Sequence, residues 1–364
     1  MTLKNTPLHA THEALGAHFT DFGGWDMPLR YASELDEHRA VREAAGIFDL
    51  SHMGEIWVDG PDAARFLNTA FAGNFAVTAV GRAKYSLMLQ EDGGIIDDLI
   101  VYRMGEERYL VVPNAGNAPV VSSELTARAE GFDVTLTDAS ADTALVAVQG
   151  PASVAVLTEV MADVEAMREM KYYSAIEANA AGIDVLLART GYTGEDGFEL
   201  YVTNDKAEAL WSALMKTGEA HGITPCGLAS RDSLRLEAGM PLYGNELSRE
   251  VVPAQAGLGP VVSFKKEENF VGRSAVENAA APERVLVGLK GLGRRAGRSG
   301  YDVVSEGEVV GTVTSGLPSP TLGYPIALAY VARDLAEPGT KLDIDLRGKP
   351  QPFEVVALPF YKRA

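Results

Sequence analysis

Cysteine, clustered histidine and long apolar runs are nearly absent from this sequence. The single cysteine, Cys226, excludes an internal disulfide framework and CxxC metal pairs, and it favours a reducing compartment. A cysteine in this setting is more often a small core residue than a nucleophile. None of the six histidines stands in the HExxH or clustered spacing of zinc sites. Metal catalysis is therefore not expected.

Signals for export, membrane insertion or nucleic-acid binding are also missing. The opening residues MTLKNTPLHATHEALGAHF are too polar for a signal peptide, and no apolar run reaches the roughly 18 residues of a membrane span. The 50 acidic residues outnumber the 32 basic ones and give a formal charge of −18. Such a charge disfavours general binding to nucleic acid or anionic membranes. We expect a cytoplasmic protein that binds neither.

The common nucleotide-binding and hydrolase motifs do not occur either. No GxGxxG or GxxxxGK[ST] follows a strand-like run, and no GxSxG elbow is present. A dinucleotide fold and a standard hydrolase are therefore not indicated. The 364 residues are enough for two or three domains.

The apolar patterns that are present interleave helices and strands without regular βα alternation, which predicts an α+β fold. A helix is predicted from Ser33 to Ala45, with Ser33 as N-cap and Gly46 as stop. Residues 279–283 (AAAPE) read as a linker. Short strands with glycine and proline turns follow it, so the C-terminal part is predicted to be a small β-barrel or sandwich.

The strongest hairpin signal joins two strand candidates, Tyr85–Gln90 and Ile95–Tyr102, through Glu91-Asp92-Gly93-Gly94. The second strand belongs to GGIIDDLIVY, in which Asp97 and Asp98 are adjacent. Since side chains alternate along a strand, these aspartates point to opposite faces. Asp98 is expected to share its face with Ile96, Ile100 and Tyr102, and Asp97 with Ile95, Leu99 and Val101.

The loop length decides what lies beside Asp98. A loop of two or four residues places Tyr85, Leu87 and Leu89 on the Asp98 face, whereas a loop of three places Ser86 and Met88 there. We prefer Tyr85. A carboxylate on an apolar, aromatic face must be hydrogen-bonded or have a raised pKa, which makes Asp98 a candidate acid or base. The alternative is that one aspartate caps a turn and the other pairs with an arginine.

Several separated segments are similar to the glycine cleavage T-protein family, the folate-dependent aminomethyltransferases. They are TPLHATHEALGAHFTDFGGWDMPL, GIFDLSHMGEI (46–56), GGIIDDLIVY (93–102), RTGYTGEDGFELY (189–201), RDSLRLEAGMPLYGNEL (231–247), FVGRSAV (270–276), TSGLPSPTLGYPIALAYV (314–331) and PFYKR (359–363). The resemblance runs nearly end to end.

The resemblance implies both a fold and an activity. The fold would comprise folate-binding domain 1 (1–54 and 141–277), an α+β domain 2 with the catalytic hairpin (55–140), and a C-terminal β-barrel (284–364). The activity would transfer the one-carbon unit of S-aminomethyl-dihydrolipoyl H-protein to tetrahydrofolate, the co-substrate. The products would be methylenetetrahydrofolate, ammonia and dihydrolipoyl H-protein.

The resemblance also implies roles for individual residues. Asp98 matches the catalytic carboxylate and Glu199 the carboxylate that binds the pterin, which can accept from two adjacent N–H groups. Arg231 matches the arginine that contacts folate carboxylates. Four matches to the pterin surroundings are Tyr85, Tyr192, Met53 and Asn114, and Tyr361 is a further contact. Arg235 lies one helical turn from Arg231, and we assign Arg231 to the ligand and Arg235 to structure.

One residue departs from the family pattern, and one segment departs from the acidic character of the chain. Pro260 stands where family members often carry a tryptophan, so the packing of that wall of the folate cavity is open. Residues 284–300 contain five basic residues and no acidic one. This run is either a docking patch, for an acidic carrier protein or for the folate tail, or it is a solvated loop and strand edge.

The alternative function is that of a folate-binding relative that supports iron–sulfur assembly, but the KGCYxGQE signature of such proteins is absent.

Overall fold

A computed structural model describes residues 2–363 of the chain. Strands account for most of its regular structure, because β-branched and aromatic runs alternate with glycine and proline turns along the sequence. Their bounds are β1 His18–Phe22, β2 Trp25–Arg30, β3 Ala45–Asp49, β4 Ile56–Asp59, β5 Arg82–Leu89, β6 Ile95–Arg103, β7 Arg108–Val112, β8 Thr135–Asp138, β9 Thr143–Gln149, β10 Ala175–Ala180, β11 Ile183–Ala188, β12 Gly197–Thr203, β13 Ile223–Pro225, β14 Arg284–Gly291, β15 Asp302–Ser305, β16 Glu308–Pro318, β17 Pro325–Ala332, β18 Lys341–Asp345 and β19 Pro350–Val356.

The helices are short and lie between the strands in sequence. They are α1 His9–Ala14, α2 Glu34–Glu43, α3 Ala63–Ala70, α4 Ala118–Arg128, α5 Ser153–Thr158, α6 Val164–Glu169, α7 Asn204–Gly218, α8 Leu228–Glu237 and α9 Arg273–Glu277, with 3₁₀ turns at Glu219–His221, Gly259–Val261 and Arg333–Leu335. Between residues 2 and 363, none of them has the length and apolar character needed to cross a membrane.

The strands form two open sheets, a closed barrel and a small hairpin. A mixed six-stranded sheet has the order β10-β11-β12-β9-β3-β13, in which only β13 pairs in parallel. A five-stranded antiparallel sheet has the order β5-β6-β7-β4-β8, and β1 pairs with β2. The barrel follows the order β14-β17-β16-β15-β18-β19. The predicted α+β fold with a C-terminal barrel is confirmed, and the division into domains stays a prediction.

The two open sheets face each other across a shared apolar core. Tyr102 and Leu110 of the five-stranded sheet pack in one cluster with Leu145, Ala188 and Tyr201 of the six-stranded sheet. Each sheet has a second core on its other face. It is centred on Trp211 and Phe198 for one sheet, and on Phe66 of α3 with the following Phe71 and Phe75 for the other. Side chains on the inner strands β6 and β12 are therefore brought into the same space.

The α2 region shows where local pattern and structure differ. Helix α2 begins after Ser33, whose hydroxyl accepts from the Asp36 N–H as predicted, but the helix ends at Glu43. Gly46 lies inside β3 and is not a helix stop. A Cβ there would overlap Val41 and the sulfur of buried Cys226, so close packing explains this glycine. The expectation that Cys226 is a small core residue is confirmed.

Near Asp98, the strands of the β5–β6 hairpin pair as predicted, although the loop between them differs from the prediction. The Gln90 N–H donates to the Gly94 carbonyl, so three residues form the loop, and Leu89 pairs with Ile95. A bulge then inserts one residue, after which Leu87 pairs with Asp98. The prediction of a two- or four-residue loop is wrong. A three-residue loop shifts the register by one residue, and the extra residue of the bulge shifts it back. Ile95 and Ile96 consequently lie on the faces opposite to those predicted.

Gly94 holds the hairpin against the segment that follows α8. The Ile95 N–H donates to the carbonyls of Ser248 and Val251, and a Cβ on Gly94 would overlap the carbonyl oxygen of Arg249. This contact leaves no room for any larger residue.

We expect Gly94→Ala to lower the free energy of unfolding by about 1–3 kcal/mol, because backbone atoms must move to admit the methyl group. Urea denaturation followed by fluorescence measures it. Gly259→Ala is the matched control, since no atom lies within 4 Å of a Cβ there. Equal stability of the two variants would contradict the packing described.

Candidate active site

Asp98 is held by hydrogen bonds from two different elements. The Tyr85 hydroxyl on β5 donates to Oδ2 at 2.9 Å, and the Asn114 side-chain amide donates to Oδ1 at 2.9 Å. Asp98 is only partly exposed on β6. The predicted neighbour Tyr85 is therefore confirmed, and no arginine pairs with Asp98 among residues 2–363.

Asp97 points the other way and anchors a turn. It is fully buried and accepts from the Asn114 N–H at 3.0 Å, the Asn114 amide at 2.8 Å and the Asn117 amide at 2.7 Å. These residues precede α4. The alternative that one aspartate caps a turn is thus correct for Asp97, although the arginine partner expected for the other aspartate is not found.

Burial raises the pKa of both carboxyls above the ordinary aspartate range. For Asp98 the hydrogen bonds from Tyr85 and Asn114 oppose this rise, since they favour the ionised form. For Asp97 the charge of Asp98 adds to the effect of burial, while the two asparagines oppose it. A carboxyl whose pKa approaches neutrality can exchange a proton under physiological conditions.

Glu199 lies on β12 of the facing sheet and is buried. The hydroxyl of Thr190 donates to Oε2, and the Tyr102 hydroxyl lies 3.5 Å from the same oxygen. Neither of these residues bonds Oε1. Burial raises the pKa of Glu199, and the Thr190 hydrogen bond and the Arg231 charge lower it in part.

Asp98 and Glu199 both act on one neighbouring residue, Tyr173. Burial and then neighbouring charges raise the pKa of the Tyr173 phenol, and both Glu199 and Asp98 are among those charges. The charges of Asp98 and Arg231 likewise act on the pKa of the Tyr192 phenol. Its hydroxyl donates to the Pro241 carbonyl, which fixes the ring beside them.

Arg231 and Arg235 differ sharply although they lie one turn apart on α8. The Arg231 guanidinium sits 4.8 Å from the centre of the Tyr192 ring and makes no ion pair within residues 2–363. Arg235 is buried and binds Asp232 at 2.7 Å, Glu246 at 2.8 Å and the Ser315 hydroxyl at 2.7 Å. The structural role predicted for Arg235 is confirmed.

The other predicted residues occupy different surroundings. Met53 is half-buried in the core between the sheets. The Tyr361 ring lies 4.0 Å from the Arg42 guanidinium, which in turn binds Glu195 and Glu237. Pro260 is exposed on a 3₁₀ turn, and the next two valines pack in the cluster that includes Tyr85.

Three residues that shape this site were not predicted from the sequence as site residues. Tyr102 and Thr190 hold Glu199, and Tyr102 could have been found because it shares the Asp98 face of β6. His52 is buried, and its Nδ1 has no partner in residues 2–363. Burial and the charge of Arg231 lower the pKa of His52, so its ring is neutral at pH 7.

The contrast between the two arginines predicts opposite effects on stability. We expect Arg235→Leu to lower the free energy of unfolding by about 3–5 kcal/mol, because it leaves the buried Glu246 without its cation. Arg231→Leu should change it by at most about 1 kcal/mol, since it removes only the contact with Tyr192. Urea denaturation of both variants is the measurement, and similar losses would contradict these assignments.

The sequence and the fold were compared with known proteins. Residues 8–266 match the GCVT N-terminal domain, and residues 284–362 match the glycine cleavage T-protein C-terminal barrel domain. The chain is 56% identical to an aminomethyltransferase of Cutibacterium acnes, with 100% of both chains covered, and 58% identical to one of Streptomyces coelicolor, with 99% and 98% covered. A crystal structure of glycine cleavage system aminomethyltransferase T from Bartonella henselae matches with a TM-score of 0.91 and 38% identity, over 99% of this chain and 98% of that one. The chain therefore belongs to the glycine cleavage T-protein family of aminomethyltransferases.

Proposed function

We propose that this chain transfers the one-carbon unit of an S-aminomethyl-dihydrolipoyl group, carried by the H-protein, to tetrahydrofolate. The observation that supports this most directly is the half-buried, hydrogen-bonded Asp98, whose charge acts on Tyr173 together with that of Glu199. Family membership gives the type of reaction, and the residues around these carboxylates fit the two substrates. The proposed location is the cytoplasm.

Glu199 is proposed to bind the pterin. A reduced pterin presents an amino group and a ring N–H side by side, and a carboxylate can accept from both. Thr190 and Tyr102 occupy Oε2 and fix the carboxylate plane, while Oε1 stays available. Tyr85 and Tyr192 offer flat apolar surfaces for the ring, and Met53 an adaptable one.

Arg231 is proposed to bind a carboxylate of the folate tail. Its guanidinium is free of ion pairs within the described chain and is positioned by the Tyr192 ring. Planar guanidinium groups match carboxylates in a bidentate manner. The neutral His52 nearby adds no competing charge. Tyr361 contacts Arg42 instead, so we propose no direct role for it in ligand binding.

Asp98 is proposed to carry a proton between folate and a departing group. The carbon forms bonds to two folate nitrogens, while its bonds to sulfur and to the amino group break. The two N–H protons lost by folate end on the thiol and on ammonia. Tyr85 and Asn114 orient Asp98 in its ionised form, and its raised pKa allows it to take up a proton and return it.

The basic run at residues 284–300 is the proposed contact for the acidic carrier. Arg294, Arg295 and Arg298 are exposed in the loop after β14. Basic residues grouped in this way on a chain of charge −18 can steer an acidic partner. A solvated loop is the alternative.

The first test is ammonia release from aminomethyl-lipoyl H-protein with and without tetrahydrofolate. We expect folate-dependent release by wild type and a loss of roughly 100-fold or more in Asp98→Asn, the scale of general acid–base catalysis. Asp98→Asn should still bind tetrahydrofolate.

Asp97→Asn is the matched control, and we expect it to keep most of the activity at a temperature where it is folded. Wild type that binds tetrahydrofolate without releasing ammonia would refute the transfer. If Asp97→Asn were the inactive variant instead, the roles assigned to the two aspartates would be wrong.

The Tyr85 hydrogen bond predicts a shift in pH dependence. The hydroxyl stabilises ionised Asp98, so Tyr85→Phe should raise the pKa of Asp98 further. The acidic limb of the kcat/KM profile should then move to higher pH, because more of Asp98 is protonated at a given pH. Tyr109→Phe, whose hydroxyl has no partner in residues 2–363, is the control and should leave the limb in place.

A further inference from the structure

A cavity lies between the two open sheets, and neither Asp98 nor Glu199 lines it. Its volume is about 570 Å³, within the range of small-molecule sites. Strands β4 and β7 form one wall and β10, β11 and β12 the other. Glu55, Trp57 and Tyr201 line it together with aliphatic side chains such as Leu186. None of the residues proposed to bind folate lines this cavity.

Glu55 is the unusual member of this lining. It is 1% exposed, and neither of its carboxylate oxygens has a hydrogen-bond partner in residues 2–363. Its backbone is fully engaged, with the N–H donating to the Ser140 hydroxyl and the carbonyl accepting from the Ala139 N–H. Burial, with the charge of Asp138, raises the pKa of Glu55 well above its usual range. A buried carboxyl without a partner is costly, so a ligand that satisfied it would gain affinity.

The position of Glu55 follows from strand alternation. It directly precedes β4, and it lines the cavity with Trp57, two residues on, whereas Ile56 and Val58 pack in the core on the opposite face. The backbone thus presents Glu55 and the Trp57 indole to the same space.

The charges around the cavity favour a cation. Glu55, Glu177 and Asp184 contribute three carboxyl groups to the lining, and Arg108 is the one basic side chain that lines it among residues 2–363. Arg108 already has partners within the chain, with its guanidinium 4.2 Å from the Trp57 ring centre and 3.4 Å from Asp59. No cation within residues 2–363 compensates Glu55.

We propose that this cavity binds a small organic cation, a primary ammonium with a short apolar body, and that Glu55 is its counter-ion. The ammonium donates to the Glu55 carboxylate, and the apolar body lies against Trp57 and the aliphatic residues. Tyr201 separates this site from the proposed folate site, since its hydroxyl lies 3.4 Å from that of Tyr102. The inference does not depend on the proposed transfer reaction.

The test is a titration of the full chain with n-hexylammonium chloride, followed by calorimetry and by tryptophan fluorescence. Wild type should show saturable binding and a change in fluorescence that disappears in Trp57→Phe. Glu55→Gln should weaken binding at least about tenfold, because the carboxylate is the proposed anchor. Glu208→Gln, which removes the same charge from the exposed face of α7, should bind as wild type does.

Hexanoate and 1-hexanol are the matched probes of charge, and we expect weaker binding of both. Equal binding of 1-hexanol would show an apolar pocket without cation recognition and would overturn the proposal. Absence of saturable hexylammonium binding would mean that the cavity holds water alone, and equal affinity of wild type and Glu55→Gln would remove Glu55 as anchor. The thermal unfolding midpoint of Glu55→Gln, expected to equal or exceed that of wild type, shows that the variant is folded.

Discussion

The rest of the site depends on keeping carboxylates ionisable in a space that two β-sheets bury. Burying a charge is costly unless hydrogen bonds replace the lost water. Asp98 receives such bonds from Tyr85 and Asn114, and Glu199 receives them from Thr190 and Tyr102. These donors belong to several separate segments, so the sheets must pack correctly before either carboxylate is stable there. The donors also determine how each carboxylate is aimed and how far its pKa rises.

Contacts between α8 and the C-terminal barrel also support the site. Arg235 binds Glu246, and it also bonds Ser315 on β16 of the barrel. Glu237 at the end of the same helix accepts from Ser319 and Thr321 just beyond β16. These buried contacts hold the helix in place, and Arg231, one turn earlier, makes no ion pair with any residue from 2 to 363. A helix anchored by one arginine can therefore present another to a ligand.

Glu55 and Glu199 show that burial alone does not define the role of a carboxylate. Both lie at the edge of the core between the sheets, on opposite sides of the Tyr102–Tyr201 contact. Glu199 has two hydroxyl groups that stabilise its charge, whereas Glu55 has none within residues 2–363. Such different surroundings suit Glu199 to act as an acceptor of fixed orientation and leave Glu55 without a partner in residues 2–363.

The sequence by itself determined the strands, the hairpin and the neighbourhood of Tyr85 and Asp98, because alternation along a strand is a local property. It also indicated the barrel, because short strands with glycine and proline turns follow residue 283. Only the tertiary structure decided the bulge that corrects the register, the position of Gly46 inside β3 and the partners of Arg235. The isolation of Glu55 was equally hidden, since residues distant in sequence enclose it. Whether a buried polar group has a hydrogen-bonding or ionic partner depends on contacts between separate segments, and a local sequence pattern does not predict those contacts.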